Sequence, residues 1–306
     1  MNELKKMAAG VTGSPMSQDP WENFEKLRKI GYRTYQGAAG QLESMENPAE
    51  AYARYQDMGM FIHSVGIAPK RDAKPFSFPA GGFTGGRLAL PEGHIVEGYL
   101  DMSFGYRCTD EQIEDTIALC EKYGTNIVVN YSSPCINDMM GTKVCEPDVF
   151  YMALEEMEQI AEKFKKAGIS YCYHNHDREF KLNFNSLAPI EQLLARTSTL
   201  ALELDVGWVQ AGGYDPAAFF KKAADRIAAV HVKDIREGQR PNIFGAMRPD
   251  FCAVGSGLVD FDALLPLIQE KGIKTVIVEQ DSMRNLTVEE SLTAAYLNLK
   301  ETGFVE

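Results

Sequence analysis

The chain has 306 residues, 45% of them hydrophobic, enough to bury a large core in one α/β domain. Its formal net charge of −12 disfavours a surface built to neutralise the phosphates of a nucleic acid. Six cysteines without a CxxC pair, an opening MNELKKMAAG that lacks an apolar signal core, and no apolar run near the ~20 residues of a bilayer crossing lead us to expect a cytoplasmic protein with reduced thiols and no membrane partner.

In chain order, short apolar runs alternate with longer amphipathic ones. "MAAGVTGS" reads as a strand. "DPWENFEKLRKIG" follows as a helix, with Trp21, Phe24, Leu27 and Ile30 at three-residue steps and Gly31 closing it. "YRTYQGA", the helix-like "PAEAYARYQDMG" and "FIHSVGI" continue the rhythm. Residues 67–107 break it with Pro, Gly and aromatics, among them Phe76, Phe78 and Phe83, and read as a long excursion serving as a lid or an oligomer contact. Order resumes with "TDEQIEDTIALCEKYG", a helix capped by Thr109, and "NIVVNYSS". "EPDVFYMALEEMEQIAEKFKKAG" sets Val149, Ala153, Met157, Ile160, Ala161 and Phe164 on one stripe and ends in Lys, Lys, then Gly. "ISYCYHNHD", "LALELDVGWV", "IAAVHVKDI" and "TVIVEQD" then alternate with four further helical segments.

Eight apolar runs separated by helices call for a parallel sheet, closed as a (β/α)8 TIM barrel over residues 1–306, with irregular excursions near 67–107 and 237–256. An open doubly wound sheet is the alternative, but no GxGxxG fingerprint follows the first strand.

Chemistry in such a barrel sits where strands end. The last four runs close on His174 and His176, then Asp205, His231 and Glu279. Strand alternation puts His174 and His176 on one face and Asn175 on the other. Two imidazoles and two carboxylates around one axis suit Mn²⁺, Zn²⁺ or Co²⁺ better than Mg²⁺. A cation would also remove the cost of charges placed among apolar neighbours. Glu203, one layer deeper than Asp205, reads as a buried acceptor behind the ligands.

Lys233 shares the face of His231; it either reaches a substrate oxyanion or phosphate or is solvated at the rim. His231 and Asp234 could instead form a structural pair. Trp208 and Tyr214 offer a sugar platform, or only pack the strand-helix turn. His63 and Asn130 close the third and fourth runs and point to substrate hydroxyls, with rim polarity an equal explanation. Arg236 could hold a carboxylate or phosphate from an irregular loop.

The runs "YHNHDREF", "LELDVGWVQAGGYDP", "RIAAVHVKDI" and "VIVEQD" together resemble the sugar phosphate isomerase/epimerase family of xylose-isomerase-like TIM barrels. The likeness is specific over roughly residues 147–306. It implies one divalent ion, Mn²⁺ first and Zn²⁺, Co²⁺ or Mg²⁺ after it, held by His174, Asp205, His231 and Glu279. Many members have a glutamate where this chain has His174, one of two carboxylate bases flanking the substrate. Two-base chemistry here would need His176 as the second proton acceptor, beside Glu279 as ligand and base and Lys233 as a further candidate for proton handling.

The resemblance thus implies an isomerase or epimerase acting on a ketose or keto-sugar through a metal-stabilised enediolate. The alternative is a lyase of the same superfamily, inosose dehydratase-like or cleaving a 3-oxo-C-glycoside. A non-catalytic sugar-binding subunit is a third reading. A DNA repair endonuclease of the same fold is opposed by the charge and by the lack of extra histidines. Barrels of this superfamily are often dimers or tetramers, so a homo-oligomer or a partner subunit is expected.

Overall fold

The computed structural model of the chain describes residues 5–67, 83–84, 87–88, 108–131, 147–241 and 247–306. Eight strands form one parallel sheet: β1 (Ala8–Val11), β2 (Thr34–Tyr35), β3 (Val65–Gly66), β4 (Ile127–Asn130), β5 (Ser170–His174), β6 (Ala201–Asp205), β7 (Ile227–Val232) and β8 (Thr275–Val278). They run in the order β2-β1-β8-β7-β6-β5-β4-β3, so the first and last strands are paired and the sheet curls on itself. Between its outer edges the Phe61 N–H donates to the Arg33 carbonyl (3.0 Å). This is the barrel expected from eight apolar runs. Among the described residues, no helix is long and apolar enough to cross a membrane.

The main helices are α1 (Pro20–Ile30), α2 (Pro48–Asp57), α3 (Asp110–Tyr123), α4 (Pro147–Lys166), α5 (Pro189–Arg196), α6 (Pro216–Ala223), α7 (Phe261–Glu270) and α8 (Val288–Glu301). Local chemistry sets their ends. Asp19 caps α1 by accepting from the Glu22 N–H, and Pro20 costs nothing in the first turn, where its missing N–H has no helical partner. Gly31 ends α1 at φ +134°, where a Cβ would lie 2.1 Å from Tyr296 Cζ; the close packing of α1 on α8 therefore requires glycine. Thr109 and Gln112 form a capping box on α3. On α4, Ala153, Met157, Ile160, Ala161 and Phe164 are buried, the stripe predicted from spacing.

The segment expected to be irregular near 237–256 is instead an antiparallel arm, Asp234–Pro241 paired with Met247–Cys252. Its alternation was invisible because residues 236–241 are exposed on both faces and carry no apolar period. Asp234 seals the base of the arm: its carboxylate accepts from the backbone N–H groups of Ile235, Gly255, Gly257 and Val259 at 2.7–3.1 Å. A Cβ on Gly257 would lie 2.3 Å from the Ile235 carbonyl oxygen, so the seal also depends on glycine. The alternative His231–Asp234 pair does not form, because Asp234 is committed to these amides. Most of the excursion at 67–107 lies outside the described residues; within it, 83–84 and 87–88 pair antiparallel.

Register brings the strand ends level. His174 pairs with Glu203, Asp205 with His231, and His231 with Ile277, two residues before Glu279.

Candidate metal centre

His174, Asp205, His231 and Glu279 each present one ligand-type atom, and the four atoms lie within 4.8 Å of one another. His174, Asp205 and His231 are buried, and Glu279 opens partly to the mouth. Each is held by its own strand end. Asp205 closes β6 and caps the short helix Val206–Ala211, with Oδ1 accepting from the Trp208 N–H at 3.0 Å. That leaves Oδ2 turned inward and buried, 3.9 Å from His174 Nε2 and 4.0 Å from His231 Nδ1, with the Lys233 ammonium 3.1 Å away. Asn175 fixes the Asp205 backbone from both sides, accepting from its N–H (3.0 Å) and donating to its carbonyl (3.1 Å).

A second layer orients the rings. Glu203 Oε2 sits 3.0 Å from His174 Nδ1 and 3.1 Å from His231 Nε2, and Glu203 is fully buried. Burial alone would keep its proton on, but His231 and His174 outweigh that and hold its pKa below the usual carboxylate range. Gln36, at the end of β2, donates to Glu203 Oε1 (2.6 Å) and Ser64 Oγ (3.0 Å), and its Oε1 lies 2.6 Å from His231 Nε2. With Nδ1 of His174 engaged by Glu203, its Nε2 is the nitrogen left for a cation. For His231 it is Nδ1, 2.7 Å from Glu279 Oε2.

The donor set fits a divalent ion. It has two imidazoles and two carboxylates, a buried carboxylate oxygen turned toward both rings, and a carboxylate behind the rings that sets their tautomers.

Lys233 is not at the rim. It is fully buried, with Nζ 3.1 Å from Asp205 Oδ2, 3.2 Å from Glu279 Oε2 and 2.9 Å from Asp281 Oδ2. Burial disfavours its charge, yet the three carboxylates prevail and its pKa is raised. Gly207 packs directly on this side chain, where a Cβ would meet Lys233 Cγ at 2.7 Å.

His176 is half-buried beside His174, ring centroids 5.0 Å apart, and its Nδ1 has no partner. Burial foremost, with help from His174, holds it neutral, far below the ordinary imidazole value. His63 is buried with Nε2 unpartnered; burial lowers it to about 4 despite the nearby Glu203.

Other expected contacts fall elsewhere. Asn130 turns away from the mouth, its Nδ2 facing Met157 Sδ of α4 at 3.5 Å. The register explains this: Asn130 pairs with Tyr173, next to inward-facing His174, and so shares the outward side. Its neighbour Tyr131 faces the site instead, 5.6 Å from the His174 ring. Trp208 is only 3% exposed, packed between His176 (5.4 Å) and Phe251 (5.1 Å), with no open face for a sugar ring. Tyr214 packs against Phe180 and Phe219. Arg236 lines a separate cavity of about 260 Å³ with Cys252, Ser256, Gln280 and Arg284.

Gln36, Tyr131 and Asp281 were not singled out from sequence. Gln36 obeys the rule that found the candidate ligands, a polar residue closing an apolar run, and applying that rule to the second run would have found it.

The family model described as xylose isomerase-like TIM barrel matches residues 108–297. Among curated proteins, an inosose dehydratase of Lacticaseibacillus casei is 27% identical over 151 residues, covering 45% of this chain and 50% of that protein. One of Clostridium beijerinckii is 27% identical over 198 residues, 58% of this chain and 65% of that protein. The chain thus spans about half to two thirds of the length of the curated relatives it matches. Among solved structures, a sugar phosphate isomerase/epimerase from Parabacteroides distasonis superposes with a TM-score of 0.66 at 19% identity, covering 100% of this chain and 98% of that one. At that identity the likeness is one of fold.

Proposed function

The chain belongs to the xylose isomerase-like TIM barrel family, and from that premise we propose that it is a divalent-metal-dependent enzyme that removes a proton next to the carbonyl of a ketose or keto-sugar. The observation that carries this reading is the convergence of His174, Asp205, His231 and Glu279, with Asp205 Oδ2 buried and turned toward both imidazoles. A divalent ion, Mn²⁺ by preference, supplies Lewis-acid polarisation of a carbonyl and its neighbouring hydroxyl when bound.

This chain's residues do the rest. Glu279, the most open of the four, accepts the proton from the carbon beside the carbonyl. Lys233 keeps Asp205 and Glu279 ionised and close together. Glu279 returns that proton to the neighbouring carbon, and His176, neutral and with Nδ1 unpartnered, accepts the hydroxyl proton and passes it to the former carbonyl oxygen, so both residues end as they began. Proton return to carbon gives an isomerase or epimerase.

The second reading is a dehydratase, in which a hydroxyl leaves from the next carbon after the same proton is removed. The inosose dehydratase relatives favour it, as does the imidazole at 174 where a second carboxylate base would stand. The test is elemental analysis of the purified protein, then a panel of ketoses and inososes incubated in D₂O. Deuterium gained with the oxygen count intact means isomerase or epimerase, and loss of water means dehydratase. A protein that holds no divalent ion and exchanges no substrate proton would overturn both readings.

A further inference from the structure

We infer that Arg248, carried over the site by the antiparallel arm, is a specificity-determining residue that receives an oxyanion, carboxylate or phosphate, at the end of the substrate remote from the reacting carbonyl. The inference rests on the reading of the site as a keto-sugar centre and adds the class of sugar.

Arg248 lies on the returning strand of the arm, directly across from Arg240. The two cations diverge. Arg240 Nε turns to Asp250 Oδ1 (3.1 Å), and Arg284 Nη2 takes Asp250 Oδ2 (3.1 Å), so both oxygens of the carboxylate two residues from Arg248 are engaged. Arg248 turns to the site, with its guanidinium carbon 5.9 Å from the centroid of the Trp208 ring. That indole in turn lies 5.4 Å from the His176 ring. Among the described residues Arg248 makes no ion pair, and it is half-buried beside the indole.

The other cation of the site does not serve an anion. Lys233 is enclosed by Asp205, Glu279 and Asp281, each within 3.2 Å. Arg236, expected from sequence to hold a carboxylate or phosphate, lines a different cavity. The planar fork of an arginine, half-buried beside an indole, matches two oxygens of a carboxylate or phosphate better than it matches single hydroxyls.

The experiment uses the Mn²⁺-loaded protein and calorimetric Kd values for D-fructose, D-fructose 6-phosphate and D-fructuronate, which share the ketose end and differ at C6. Inorganic phosphate and malonate serve as free oxyanion probes. We expect the phosphate or the acid to bind about 10-fold tighter than fructose or more. Arg248→Ala should erase the difference, Arg248→Lys restore part of it, and Arg240→Ala leave it intact. The phosphate and carboxylate arms identify which oxyanion is preferred. Equal affinity for all three ketoses, or a preference that survives Arg248→Ala, overturns the assignment, as does failure of both free probes to lose affinity in that variant. If the probes bind in an Arg248-dependent way while no ketose binds, the keto-sugar reading fails and the oxyanion site stands.

Discussion

Glu203 Oε2 lies 3.0 Å from His174 Nδ1, and the two residues are direct register partners on β6 and β5. The same oxygen lies 3.1 Å from His231 Nε2, so one buried carboxylate decides which nitrogen of each ring carries the hydrogen. Replacing that carboxylate with an amide keeps the shape but offers a donor where an acceptor is needed. We expect Glu203→Gln to weaken Mn²⁺ binding by about 10- to 100-fold in a chelator competition titration. Unchanged affinity would show that the rings are oriented by something else.

Metal binding should depend on pH through His231. Burial works against a charge on this ring, but Glu203 and Glu279 outweigh it and raise its pKa to about 10. The metal-free ring is therefore protonated at neutral pH, whereas a ligating imidazole must shed that proton. Affinity should rise with pH, by up to about tenfold per unit while one proton is displaced, and fall as the solution is acidified. Calorimetry in buffers of different ionisation enthalpy at neutral pH should count about one proton released per ion bound. A count of zero would remove His231 from the ligand set.

Glu279→Gln should lower turnover by about 10²- to 10⁴-fold, because the amide cannot accept a proton. Circular dichroism should be unchanged, since Glu279 opens to the mouth and carries no part of the apolar core. Near-normal turnover in this variant would move the base elsewhere, with His176 the next residue to test.

Lys233→Met should expose what the ammonium neutralises. Without it, buried Asp205 and partly buried Glu279 lose their shared counter-charge, and breaking a buried ion pair on one side costs about 3–5 kcal/mol. Urea unfolding of the metal-free variant should show a loss of that order, and added Mn²⁺ should restore part of it by supplying positive charge between two of the same carboxylates. A variant as stable as the parent would show that these carboxylates take up protons instead.

Much of this centre was legible in the sequence because barrel strands are apolar almost throughout, and a polar residue closing such a run stands out. His174, Asp205, His231 and Glu279 were found that way. Asn130 failed by one position, since the face of a strand-end residue depends on register, and nothing local in "VVNYSS" tells Asn130 from Tyr131. Lys233 was placed on the correct face but read as a reach toward substrate or a solvated rim group. Its enclosure depends on Asp281, two residues past a ligand on another strand. The arm was missed because strands exposed on both faces leave no hydrophobic rhythm, and its closure by Asp234 is a contact between a side chain and distant amides.

That closure at Asp234 has an evolutionary consequence. With the four amides gathered at its foot, the overhanging hairpin is anchored where it leaves β7, and its outer residues, exposed from 236 to 241, can change without disturbing the barrel beneath. The arm behaves as an exchangeable cassette: a lineage could trade one recognition group for another while the proton chemistry below stays fixed.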